Sequence, residues 1–270
     1  MKVIGLMLTW NNLEFFKCAL EMALYFSDEV IIVEGCHSNF FPRRSTDGTC
    51  EFIETLNNIQ KIKVVDFEYS GRYDSVQKKI RTDAPRKSRF FKPGNWLFHF
   101  DDDVFYFKRD LDRLRTILDS TDCDQIGFPS RHFVFNFRFN KPQPYMGGIS
   151  VHRILDGYRV AGISTPKYRS GKAFRKYVSK DIVNFHFSEV KKPERMKARW
   201  IMSVEKGTEA SRPRFEKWMS ISWNKDEDIF KSEETLDQIK SGDGLNIYNG
   251  PYPEWLDNHP WRHINDIRKL

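Results

Sequence analysis

Three features of the chain predict an α/β fold with a mainly parallel central sheet flanked by helices. The first 66 residues alternate apolar runs with helix-period stripes in the order strand, helix, strand, helix, strand, the order that builds parallel strands joined by crossover helices. The runs end at polar residues, Asn11, Glu34 and, further on, Asp101. In open sheets of this kind ligands lie beyond the carboxyl ends of the strands, so these three residues are expected to face one cleft. Finally, the apolar run Trp96–Phe100 stops abruptly at three consecutive carboxylates, Asp101, Asp102 and Asp103, and Val104 to Phe107 is apolar again.

Residues 2–9 are a short apolar run ended by Thr9-Trp10-Asn11-Asn12, read as a buried strand and a polar turn. From Leu13 to Phe26, Phe16, Ala19, Leu20, Ala23 and Leu24 recur at helical spacing and give one apolar stripe. Asp28–Glu34 is the second strand, and Gly35 begins a loop. Ser45-Thr-Asp-Gly-Thr49 supplies turn and capping residues for a helix from Cys50 to Leu56, and Lys61–Asp66 is the third strand. Ser70 to Pro93 is basic and helix-compatible until Pro93-Gly94 breaks it. Trp96–Phe100 is the strand that delivers the carboxylates, and Leu111, Leu114 and Leu118 mark a helix from Phe107 to Leu118. Gln125–Pro129, Phe133–Phe139, Met146–Val151 and Ser179–Phe187 are strand-like, and Pro193 sits in the first turn of a basic helix around Lys191–Trp200. The last seventy residues hold four of the seven tryptophans with no strand pattern, so residues 196–270 are expected as a helical and loop extension packed on the domain formed by 1–195.

Bulk properties narrow the function classes. With 40% hydrophobic and 30% charged residues and no biased tract, the composition is that of a globular chain, and no apolar run is long enough to span a membrane. The four cysteines, Cys18, Cys36, Cys50 and Cys123, lack C-x-x-C spacing. That argues against a zinc ribbon or a disulfide framework and makes a reducing, cytoplasmic setting the expectation. A net charge of +7, with Lys78, Lys79, Arg81, Arg86, Lys87 and Arg89 clustered before the acidic stretch, favours anionic partners without choosing among nucleotide phosphates, nucleic acid and anionic lipid.

Three adjacent carboxylates between apolar flanks are costly unless something positive holds them. A divalent cation of the Mg²⁺ or Mn²⁺ type takes oxygen ligands and keeps open positions for phosphates, so a metal and phosphate site is the first expectation, with a solvated acidic turn as the alternative. Strand alternation puts Asp101 and Asp103 on the cleft side and Asp102 on the opposite one. His99 is expected to pack in the interior.

The ordered set of motifs resembles the nucleotide-sugar-dependent glycosyltransferases of the GT-A fold, in particular the family 2-like group. Thr9-Trp-Asn-Asn12 is similar to the start at which those enzymes hold the nucleotide. Asp28–Glu34 with the later Ser45–Thr49 is similar to their acidic strand end and S-T-D-G-T turn, and Trp96–Asp103 looks like their D-x-D strand. Asn184-Phe-His-Phe-Ser-Glu-Val190 matches the place where members carry a metal-binding histidine, here His186. The chain departs from the pattern where Asn39–Arg44 separates the strand end from the turn, and where Val104 follows the D-x-D.

What the resemblance implies is a metal-dependent transferase moving a sugar from a nucleotide-sugar, with a UDP-sugar favoured, to a hydroxyl of a glycan or glycoconjugate. Asp101, Asp103 and His186 would hold Mn²⁺ or Mg²⁺, and Thr9, Asn11, Glu34, Gln77, Arg81 and Asp101 would contact the donor. An inverting reaction needs a general base near the acceptor, for which Glu189, Asp181 and His152 are candidates by residue type; a retaining one needs none there. A hydroxylated base of DNA is the alternative acceptor, since basic and aromatic side chains suit nucleic acid. Outside this class stand a metal-dependent phosphodiesterase, for which His186-x-x-Glu189 is the one further cluster, and a nucleic-acid-binding protein without catalysis.

Overall fold

The computed structural model describes residues 1–36, 41–69, 73–141, 145–160, 166–167, 175–205 and 246–264. The first half of the chain gives β1 (Val3–Thr9), α1 (Leu13–Phe26), β2 (Glu29–Glu34), α2 (Thr49–Glu54), β3 (Ile62–Val64), α3 (Tyr73–Asp83), β4 (Trp96–Asp101), β5 (Val104–Phe105) and α4 (Lys108–Ser120). The second half gives β6 (Gln125–Val134), β7 (Phe139–Asn140), β8 (Tyr145–Arg153), β9 (Arg159–Val160), β10 (Pro166–Lys167), β11 (Lys176–Val178), β12 (Asn184–Glu189), α5 (Pro193–Glu205) and β13 (Asn246–Ile247). Most of the expected extension, 206–245 and 265–270, lies outside the described residues, as do 37–40 in the loop after β2 and 70–72 at the start of the basic segment. Position 195, where the first domain was expected to end, falls in the first turn of α5.

The fold is mixed α/β. Its sheet runs β13-β7-β6-β8-β4-β1-β2-β3, with β11, β12 and β5 joined beside this path and β9 and β10 forming a separate pair. Strands β3, β2, β1 and β4 are parallel neighbours. The parallel run ends at β8, which is antiparallel to both β4 and β6. Helix α4 carries the chain from β4 past that position to β6, and β8 then inserts between the two after the return through β7, a connection without a crossover helix that only antiparallel pairing permits.

Period-two alternation sorts the strand side chains onto two faces. Val3, Met7, Val30, Ile32, Phe98 and Phe100 point to the side covered by α1 and α4, in one core with Phe15, Phe16, Leu111 and Leu114. Ile4, Leu6, Ile31, Val33 and Leu97 point to the other, against Val76 and Ile80 of α3. Residues 246–264 close the first core, since Leu256 and Trp261 belong to it and Trp261 meets the Phe15 ring edge-on at 5.5 Å.

Several expected strands changed their bounds; the run expected over Ser179–Phe187, for one, is a strand over Asn184–Glu189. Strand β6 runs on through Pro129, which donates no ladder bond, and the pairing with β8 shifts register between Gly127 and Pro129. The run expected over Phe133–Phe139 breaks instead at Phe135, whose φ is 66°. There the Asn136 side-chain oxygen accepts from the N–H groups of Arg138 and Phe139 at 2.8 and 3.1 Å and turns the chain.

Candidate functional site

The carboxyl ends of β1, β2 and β4 open on one cavity of about 270 Å³. Thr9 and Trp10 line it from β1, Gly35 and Cys36 from β2, and Asp101 to Asp103 from the end of β4; Gln77 and Arg81 of α3, His186 and Ser188 of β12, and Lys191, Arg195 and Arg199 complete the wall. Gly35 allows the approach of the β2 end, because its φ of 129° favours glycine and a Cβ would stand 3.0 Å from the Arg43 carbonyl.

Each carboxylate has its own partner. Asp101 accepts from Arg81 at 3.0 Å, and its side chain is about one-third exposed, at 34%. Arg81 is held in turn at Nη1 by His99 Nδ1, 3.1 Å away, while His99 Nε2 lies 3.4 Å from the Tyr158 hydroxyl. Burial first, then the charge of Arg81, drives His99 well below the usual histidine range. A neutral His99 therefore accepts from Arg81 and donates to Tyr158, fixing the guanidinium that faces Asp101.

Asp102 faces the cavity as well, contrary to the alternation expected of it. Strand β4 ends at Asp101, so Asp102 and Asp103 sit in a turn where period two no longer applies. The Thr9 hydroxyl donates to Asp102 Oδ2 at 2.7 Å, and the Asp102 backbone carbonyl accepts from the Asn12 amide at 3.4 Å. Burial raises the Asp102 carboxyl to about 6, Lys191 opposing the rise and Asp103 adding to it. Asp103 is buried too, but Lys191 and then His186 override the burial and hold it well below the usual carboxylate range. Its Oδ2 is 2.8 Å from Lys191 Nζ and its Oδ1 is 3.4 Å from His186 Nε2. His186 Nδ1 in turn meets His132 Nε2 at 3.2 Å, in line with the β12 and β6 register; His132 is pushed down to about 3 by burial and then by His186, and so stays neutral.

Of the residues expected at the donor, Thr9, Gln77, Arg81 and Asp101 line the cavity, and Asn11 and Glu34 do not. Glu34 Oε1 accepts from the Ser45 N–H at 2.7 Å, Asn11 N–H donates to Ser45 Oγ at 2.9 Å, and Asn11 Oδ1 accepts from the Thr46 N–H at 2.7 Å. Together they clamp the Ser45–Thr49 turn onto the ends of β1 and β2. None of the three base candidates is on the cavity wall. Asp181 pairs with Arg113 at 2.9 Å on the surface, and Glu189 pairs with Lys141 at 2.9 Å. His152 lies fully buried in β8 beside His99, its ring centroid 5.4 Å away.

Lys191, Arg195 and Arg199 are the residues that sequence reasoning missed. For Arg195 and Arg199 the spacing of four was the available signal, since it places both on one face of α5, whereas Lys191 precedes the helix. Arg195 donates to the Trp10 carbonyl at 3.1 Å and lies over the Trp10 ring, while Arg199 donates to the Ser188 carbonyl. A second cavity of about 480 Å³ shares Trp10, Lys191 and Arg195 with the first and reaches Asn11, Asp47 and Trp261.

The chain is similar to solved structures of S. aureus TarS. TarS 1–349 matches at a TM-score of 0.45 and 14% identity, over 81% of this chain and 69% of that one. TarS 1–349 in complex with UDP-GlcNAc matches at 0.45 and 16%, over 81% and 70%. A further structure of S. aureus TarS matches at 0.45 and 16%, over 76% of this chain and 39% of that one. No protein-family model matches the chain, and no curated protein matches it by sequence.

Asp101, Asp103 and His186 were expected to hold Mn²⁺ or Mg²⁺, and their arrangement does not fit that ion. Both Asp103 oxygens face cationic or N–H partners, Asp101 faces Arg81, and among the described residues no three His, Cys, Asp or Glu side chains converge on one point. No helix of the described residues is long and apolar enough to cross a membrane.

Proposed function

We propose that the protein is a glycosyltransferase that moves a sugar from a nucleotide-sugar donor, a UDP-sugar being favoured, to a hydroxyl of a glycan or glycoconjugate. The observation that carries this reading is the cavity at the ends of β1, β2 and β4, where Asp101, Asp102 and Asp103 interleave with Arg81, Lys191, Arg195 and Arg199. A sugar offers hydroxyls that donate to carboxylates, and a diphosphate offers oxygens that accept from guanidinium and ammonium groups. A pocket walled by both, at the strand ends where open α/β sheets bind their ligands, suits a molecule that is part sugar and part diphosphate.

In this reading the basic wall holds the diphosphate and stabilises the negative charge that grows on it as the bond to the sugar breaks. Arg81 is preset for this task by neutral His99, so little reorganisation accompanies the step. Asp101, the more exposed of the three carboxylates, orients donor hydroxyls, and Trp10 forms a wall common to both cavities. The larger cavity beside Trp10 and Trp261 is the acceptor side, where aromatic faces stack on sugar rings. Residues 1–195 carry the donor site, and Arg199 of α5 adds to it from beyond that range.

A thermal-shift screen of UDP, GDP, CDP and ADP tests the reading. Ligand at a hundredfold excess over Kd stabilises by about 2.7 kcal/mol, which is roughly 5–10 °C in Tm for a chain of this size. At least one nucleoside diphosphate is expected to give such a shift, and Arg81→Met to abolish it. No shift from any of the four contradicts the proposal.

A further inference from the structure

We infer that Lys191, backed by Arg195 and Arg199, fills the place of a divalent cation, so that this site binds a nucleoside diphosphate without metal. The inference rests on the donor-site reading above and sharpens it.

Lys191 is built into the wall. Its side chain is 4% exposed; Nζ donates to Asp103 Oδ2 at 2.8 Å and to Asn12 Oδ1 at 2.8 Å, and it lies 5.1 Å from the centroid of the Phe15 ring. An ammonium group has three N–H donors and no acceptor. Among the described residues two of them are engaged by these oxygens, both on the protein side, and Lys191 still lines both cavities. A divalent ion ligated by Asp103 would need to approach the same carboxylate oxygens to about 2.0–2.2 Å, against the repulsion of a fixed ammonium that cannot withdraw to solvent.

The charge of the wall points the same way. A carboxylate site that relies on a metal is negative by itself and repels a diphosphate until the ion arrives. Here four basic side chains, Arg81, Lys191, Arg195 and Arg199, face three carboxylates. Counting these side chains alone, the wall has a formal excess of positive charge. Guanidinium and ammonium groups on α3, on α5 and just before α5 thus supply from two sides the neutralisation that a bridging ion supplies from one.

Isothermal titration of the full chain with UDP, GDP, CDP and ADP, in EDTA and again in millimolar Mn²⁺, tests this directly. The Kd of the tightest binder is expected to agree within threefold between the two buffers. A larger loss in EDTA overturns the inference while leaving the nucleotide-sugar reading intact; no binding in either buffer removes both. Lys191→Met is expected to weaken the same binding at least tenfold with the circular dichroism spectrum unchanged, and wild-type affinity in that variant overturns the inference. Should Lys191→Met fail to fold, the comparison of EDTA with Mn²⁺ on the wild-type chain still decides.

Discussion

Replacing Thr9 by valine removes one hydroxyl and keeps the side chain's shape, so it isolates the 2.7 Å hydrogen bond to Asp102 in a place where Thr9 is 3% exposed. A hydrogen bond to a buried charge contributes about 1.5–3 kcal/mol. Because it favours the ionised form, its contribution depends on pH. The folded Asp102 carboxyl sits at about 6, above the ordinary 3.8, through burial. Ionising it in the folded state is therefore unfavourable, and stability from this group is highest at low pH and declines as pH rises through that window. The Thr9 bond limits the decline. Without it the folded carboxyl moves higher still, so the variant loses more than the wild type on going from acid to neutral pH. Urea unfolding of both proteins at pH 5 and pH 7.5 measures the difference. The expected loss is about 2 kcal/mol at pH 7.5, roughly 4–8 °C in Tm, and clearly smaller at pH 5. An equal loss at both pH values, or less than about 0.5 kcal/mol at pH 7.5, refutes the reasoning, since surface-like substitutions stay within that range.

Three other substitutions test the site, the turn beside it and the core beneath it. His99→Phe keeps a ring in the core but removes the acceptor that fixes Arg81 and the partner of the Tyr158 hydroxyl; nucleotide affinity, read by titration, is expected to fall several-fold, and stability by about 1–3 kcal/mol. Glu34→Ala frees the Ser45 N–H and loosens the clamp on the turn. It should lower stability by about 1–2 kcal/mol in urea melts while leaving nucleotide affinity within twofold, because Glu34 is off the cavity wall. Gly5→Ala puts a Cβ 2.7 Å from Ser27 Oγ and 3.3 Å from the Phe100 ring. That overpacking is expected to cost about 1–3 kcal/mol, measured by thermal unfolding.

What the sequence made legible were the features whose cause is local. The apolar runs of β1, β2 and β4 and the stripe of α1 lie where periodicity puts them, because each is buried in the core through its own pattern. The convergence of Thr9, Asp101 and Asp103 follows from the rule that parallel strands present their carboxyl ends together, and Gln77 and Arg81 join them from α3. What escaped was set by partners far along the chain or by the end of an element. Asp102 was misplaced because alternation was carried one residue past the end of β4. Lys191 reaches Asp103 and Asn12 across separations that no local pattern encodes, and the Glu34 contact to Ser45, on a turn eleven residues away, is likewise absent from any local pattern. The insertion of β8 between β4 and β6 is likewise a matter of topology, since no local pattern marks which strands a segment pairs with or in which direction.

The central claim is that the cavity between the strand ends and α5 receives a nucleoside diphosphate. Hydrogen exchange by mass spectrometry, with and without saturating diphosphate from the screen, tests it most directly. Slower exchange is expected in peptides covering 9–12, 77–81, 101–103 and 186–199, with Val30 to Val33 in the core unchanged. Protection confined to other segments, or none at a concentration that saturates binding, contradicts it.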